Sequence, residues 1–142
     1  RSQRRKEVIM GVIVDTSVWS LALQRRNPVD NPETEALIEL IEKGTAIMIG
    51  PVRQEILSGV RYTVQFDRLK SALSAFPDEP VKSNDFVEAA RICNKCLDSG
   101  IVIGNTTCLI GAIAIAREME ILTIDQEFQK LTSIVKVPLY QP

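Results

Sequence analysis

The 142-residue chain contains no histidine. That absence excludes Ser-His-Asp and Cys-His nucleophile sites, an imidazole general base and histidine metal ligands. Any chemistry falls to carboxylates, hydroxyls, lysines or thiols. Cysteine is scarce as well: Cys93, Cys96 and Cys108 make an odd count that builds no disulfide framework and reads as a reducing compartment. Cys93 and Cys96 have C-x-x-C spacing but sit inside a helical pattern, and no fourth ligand completes a zinc site. No apolar run approaches the roughly 18 residues of a membrane span. The short run after the basic "RSQRRKE" is interrupted at Gly11, unlike a secretory leader. Both glycine signatures of nucleotide binding, the P-loop and the dinucleotide turn, are missing.

What is present is an ordinary globular composition, 45% hydrophobic and 25% charged, in a length that suits one domain with a real core. Met10 reads as the natural first residue, with residues 1–9 a non-native or flexible extension of a domain over 10–142. The extension holds Arg1, Arg4, Arg5 and Lys6 against Glu7, so the net charge of −1 becomes −4 without it. The body is mildly acidic and carries no global electrostatic footprint for nucleic acid; binding of that kind needs a local patch.

Periodicity and caps order the elements. Strand 12–14 precedes a short helix from Ser17 to Gln24. Asn31 caps a helix with Pro32 in its first turn and Gly44 after its end. "AIMI" (46–49) reads as a buried strand, Gly50-Pro51 opens a helix to Ser58, and Tyr62–Phe76 is amphipathic. A weak strand is placed around Val81. Ser83 or Asn84 caps helix 85–98, Gly100 closes it, and 106–118 is an apolar, Ala-rich helix. Strand 120–123, a short "QEFQKL" helix and a last strand "SIVKV" complete the chain. Alternating strands and helices, with strands that are continuous apolar runs, predict an α/β fold with a mainly parallel sheet covered on both faces.

In such a sheet ligands bind beyond the carboxyl ends of the strands. Asp15 ends the first strand, Asp125 follows "ILT", and Glu55 lies one turn into the helix after "AIMI". Three carboxylates brought to one rim repel unless a cation joins them, and oxygen ligands without His or Cys suit Mg²⁺ or Mn²⁺. Such an ion can activate water for phosphodiester hydrolysis. Each acid also has a plain role open to it: Asp15 and Asp125 as helix caps, Glu55 as a solvated helix residue. An aspartyl-phosphate chemistry would want a second acid two residues after Asp15, where Ser17 stands.

"VIVDTSVW", Glu55 within "PVRQEILSG", and "CLIGAIAIAREMEILTIDQEF" together resemble the PIN domain family, most closely the VapC ribonuclease toxins of bacterial type II toxin–antitoxin pairs. The resemblance runs through nearly all of 10–142. It implies a single three-layer α/β/α domain acting as a Mg²⁺- or Mn²⁺-dependent endoribonuclease in the bacterial or archaeal cytoplasm. It further implies a homodimer held inactive by a small VapB-like antitoxin. Carried over by position, Asp15, Glu55 and Asp125 would be the catalytic metal ligands, with Glu127 auxiliary. Thr16, Ser17 and Thr123 would fix the carboxylates by hydrogen bonds.

One position departs from the pattern. Thr107 stands where the family has another Asp, directly before "CLIGAIA". A hydroxyl can ligate Mg²⁺ but adds no charge, so a catalytically weakened scaffold acting by RNA or protein binding is the alternative function. Glu127 could lean in, Asn105 could offer a carbonyl oxygen, and Thr106 or Thr107 could instead cap the helix. For RNA phosphates the candidates are Arg25, Arg26, Arg53 and Arg61, each also readable as ordinary surface charge. Trp19, the lone tryptophan, reads either as core or, with Leu21 and Leu23, as the lining of an antitoxin groove.

Overall fold

The computed structural model describes residues 11–23 and 31–142; Met10, the 1–9 extension, Arg25 and Arg26 lie outside them. Gly11 precedes β1 (Val12–Val14), which runs into α1 (Thr16–Leu23). Then come α2 (Pro32–Glu42), β2 (Ala46–Ile47), α3 (Gly50–Leu57), α4 (Thr63–Leu73) and α5 (Ser83–Asp98). The chain continues through α6 (Asn105–Arg117), β3 (Glu120–Leu122) and α7 (Gln126–Thr132).

The three strands form one sheet in the order β2-β1-β3, parallel throughout, with Val12 opposite Ala46 and Glu120, and Val14 opposite Leu122. Parallel pairing needs long crossovers, and the helices supply them. One group, α1 with α2 and α3, packs together; α6 joins β3, α5 and α7. This is the expected α/β architecture in a single domain.

β1 is central and buried on both faces, which is why it is a continuous Val-Ile-Val run. Its close approach to β2 explains Gly11: a Cβ there would lie 2.5 Å from Ile47 Cγ1. α2 starts as its sequence directs, with Thr34 N–H donating to the Asn31 side chain at 2.8 Å and Pro32 in the first turn. Around these elements Ile13, Leu37, Ile49, Ile110, Ile113 and Phe128 form the closed core.

Two expected strands are different objects. Around Val81 there is no strand: the pairing is a lone bridge at Met48–Asp78, where Glu79 N–H donates to Met48 O at 2.8 Å. Pro77 and Pro80 flank that bridge and have no N–H to extend it. "SIVKV" is not a strand either. Ile134 and Val135 donate back to Leu131 O and prolong the turn after α7, and the chain meets β3 only later, at the Ile121–Leu139 bridge. Of "AIMI", only Ala46–Ile47 is strand, while Met48 and Ile49 enter the core. α5 starts at Ser83 with Lys82 as its N-cap residue, so neither Ser83 nor Asn84 caps it. Among the described residues no helix is long and apolar enough to cross a membrane.

Candidate functional site

The carboxyl end of β1 delivers Asp15 to a cleft of about 610 Å³ bounded by the first turns of α1 and α6, by the length of α3 from Pro51 to Ser58 just past its end, and by the start of α7. Asp15, Glu55 and Asp125 all line it, with Thr16, Ser17 and Thr107 between them. Carboxylates distant in sequence therefore share one rim because their strands are parallel neighbours; Asp15 N–H itself donates to Leu122 O at 2.9 Å, the last rung between β1 and β3.

Asp15 is 6% exposed, and its hydrogen bonds are one-sided. Oδ2 accepts from Ser17 Oγ at 2.7 Å, from Thr123 Oγ1 at 2.9 Å and, more weakly, from Ser17 N–H at 3.4 Å. Oδ1 accepts from no described residue. The two hydroxyls also tie down the loop after β3: Ile124 N–H donates to Ser17 Oγ at 3.2 Å and Asp125 N–H to Thr123 Oγ1 at 3.0 Å. Each hydroxyl has one proton, and each gives it to Asp15, so the lone pairs are left for the backbone. The result is a carboxylate held rigidly by one oxygen and open at the other. Its long Ser17 N–H contact makes it a poor cap, although its carbonyl accepts from Val18 and Trp19 N–H and so begins α1.

Glu55 is exposed on α3 and accepts the Thr16 hydroxyl proton at Oε1, 2.6 Å. Asp125 has the local role its sequence allows: Oδ1 accepts Glu127 N–H at 2.9 Å and caps α7. It lines the cleft as well. Glu127 turns the other way, to the N-terminus of α6. There Oε1 accepts Thr107 Oγ1 at 2.6 Å and Gly104 N–H at 3.3 Å, a favourable place for negative charge. Thr107 lies inside α6, whose N-cap residue is Gly104, so neither Thr106 nor Thr107 caps that helix.

No arginine or lysine among the described residues pairs with Asp15, Glu55, Asp125 or Glu127; the ion pairs lie elsewhere. Among those residues, no three Asp, Glu, Cys or His side chains are grouped tightly enough to form a ready metal cage. The donor chemistry still suits a hard divalent cation. The cleft is lined by carboxylate and hydroxyl oxygens, an Asp15 oxygen is unengaged, and Mg²⁺ takes only one or two protein carboxylates while keeping waters. Asp15 with Glu55 or Asp125 would hold such an ion.

The remaining candidates separate. Arg53 is part of a structural clasp: its guanidinium meets Asp78 at 2.9 Å, donates to Leu73 O at 3.0 Å and also donates to Phe76 O. Arg61 is exposed just beyond α3. Trp19 is core, 2% exposed and edge-on to Phe76 with ring centroids 5.1 Å apart; its buried Nε1 has no acceptor. Cys96 and Cys108 are buried and Cys93 half-buried, all as free thiols. Burial pushes the Cys96 and Cys108 thiols up from their ordinary range.

A chain in the crystal structure of FitAcB from Neisseria gonorrhoeae is similar in fold, with a TM-score of 0.71 at 19% identity over 92% of this chain and 96% of that one. No curated protein sequence gives a significant match. The family profile of the PIN domain matches residues 12–133, a span that contains all three strands and every acid of the cleft, and the chain therefore belongs to the PIN domain family.

Proposed function

We propose that the protein is a metal-dependent endoribonuclease of the VapC toxin type, hydrolysing RNA phosphodiester bonds in the cleft at the sheet's carboxyl edge. The observation that carries this reading is Asp15: buried, unpaired by any described cation, saturated at Oδ2 and open at Oδ1. A Mg²⁺ or Mn²⁺ ion held there would polarise a phosphoryl oxygen and acidify a water. Ser17 and Thr123 hold Asp15 in one rotamer, so its open oxygen needs no reorganisation when a ligand arrives. Thr16 keeps Glu55 over the cleft, where its carboxylate can accept a proton from an attacking water. Arg61, together with Arg25 and Arg26 outside the described residues, remains a candidate for phosphate contacts. A cognate antitoxin partner and a homodimer belong to the same reading, supported by the VapC-like motifs within the PIN domain.

A second reading has its own support. With Asp125 capping α7 and Thr107 bonded to Glu127, the rim is poorer in free carboxylates than the family pattern implies. A weakened scaffold that binds RNA or protein without cutting is the alternative. Purified protein freed of partners, incubated with a broad RNA pool and millimolar Mn²⁺, separates the two. Cleavage that stops with EDTA and is lost in Asp15→Asn supports the nuclease; an untouched pool from folded protein supports the scaffold.

A further inference from the structure

Beside the acidic cleft lies a second pocket of about 640 Å³, within the size range of small-molecule sites. The two share Pro51 on α3 and Thr106 on α6 as a common wall. Their chemistries are opposite. The lining of the second contains no Asp, Glu, Lys or Arg. Its apolar surface includes Phe86 and Leu97 on α5, each 55% exposed, an unusual position for a large aromatic side chain. Two amides complete it. The Asn94 side chain makes no hydrogen bond to a described residue, and that of Asn105 has only the Cys93 thiol, 4.0 Å from its Oδ1. Both therefore keep donors and acceptors for a ligand.

We propose that this pocket receives the unpaired base of a nucleotide adjoining the scissile phosphate, an inference that rests on the ribonuclease reading. A nucleic-acid strand joins an anionic phosphate to a neutral, planar, hydrogen-bonding base at covalent distance. The paired sites offer that sequence of chemistries: a cation-seeking cleft, then an uncharged shelf with an aromatic face and two free amides. Stacking on an exposed ring and amide contacts to a base edge are the usual way in which single-stranded RNA is read. A base inside an A-form duplex cannot reach the shelf, so a matched duplex should not engage it.

The test measures binding of a short single-stranded oligoribonucleotide in Ca²⁺, with an abasic strand and a matched duplex as controls. Phe86→Ala should weaken binding of the single strand by between about fivefold and a hundredfold. Phe86→Tyr should restore it, and the abasic strand should bind the wild type and Phe86→Ala alike. In Phe86→Trp the new exposed indole should be quenched by the strand, while buried Trp19 is not. Phe86 is exposed enough for these variants to fold. Equal affinity of wild type and Phe86→Ala for the single strand overturns the proposal. So does a loss of self-association in Phe86→Ala with RNA affinity unchanged, which would make the shelf a protein interface. If the binding pattern holds but the wild type cuts no RNA, the nuclease reading fails, and with it the scissile phosphate, while the shelf is left as a base site on a scaffold that binds without cutting. If RNA is cut and Phe86→Ala keeps the same KM and cut positions, the base site alone fails.

Discussion

Thr107 gives its hydroxyl proton to Glu127 Oε1 across 2.6 Å, so the residue that the sequence resemblance sets in the place of an acid is itself the partner of an acid. This contact joins α6 to α7 beside the cleft and turns Glu127 toward the α6 N-terminus rather than toward Asp125. Thr107→Val leaves Glu127 only the longer Gly104 N–H, and should cost about 1 kcal/mol in urea unfolding. Thr107→Asp sets two carboxylates against each other. Its melting temperature in EDTA should fall below wild type, and Mn²⁺ should raise it by more than it raises wild type. A variant as stable as wild type in EDTA would mean that the contact is not made in solution.

Thr16 and Glu55 form a second such pair. Because Glu55 is exposed and Thr16 only half-buried, Thr16→Val should change stability by no more than about 0.5 kcal/mol. Loss of an orienting partner should nonetheless lower cleavage by roughly ten- to a hundredfold. Initial rates on RNA beside urea midpoints check the split; equal rates would show that Glu55 needs no orientation from Thr16.

Acid stability should report the Arg117 clasp. Arg117 holds Asp85 at 2.9 Å and Glu79 at 3.0 Å, and its hydrogen bonds to Asp85 keep that carboxyl below its ordinary value of 3.8. A carboxyl with a depressed folded pKa adds stability above the unfolded value and loses it as the pH falls through the folded one. Asp85→Asn should therefore be about 2 kcal/mol less stable than wild type at neutral pH, with the gap closing on acidification below about pH 3.8. A gap that stays constant from pH 7 to pH 3 would rule out this linkage.

Thiol chemistry should follow burial. Cys93 is half-buried, whereas Cys96 and Cys108 are buried and carry thiols pushed up by desolvation, so little thiolate forms at pH 8. Titration with a disulfide reagent should show Cys93 reacting first in the native protein and all three thiols reacting in denaturant. Mass spectrometry finding Cys108 labelled before Cys93 would contradict the packing of α5 against α6.

Much of this protein follows from local sequence. The Val-Ile-Val run before Asp15, the Asn31-Pro32 start of α2 and the Ala-rich pattern of α6 are set by side-chain size, capping and periodicity within a few residues, and they suffice for the fold class and for Asp15 at a strand end. What lies beyond them depended on contacts between distant residues. Tertiary packing made Arg53 a clasp on Asp78, buried Trp19 against Phe76, and turned Glu127 to Thr107. It also left the Val81 and "SIVKV" segments out of the sheet, with single bridges only nearby at Asp78 and Leu139, because a strand needs an aligned neighbour with free donors and acceptors, and apolar residues alone cannot provide one.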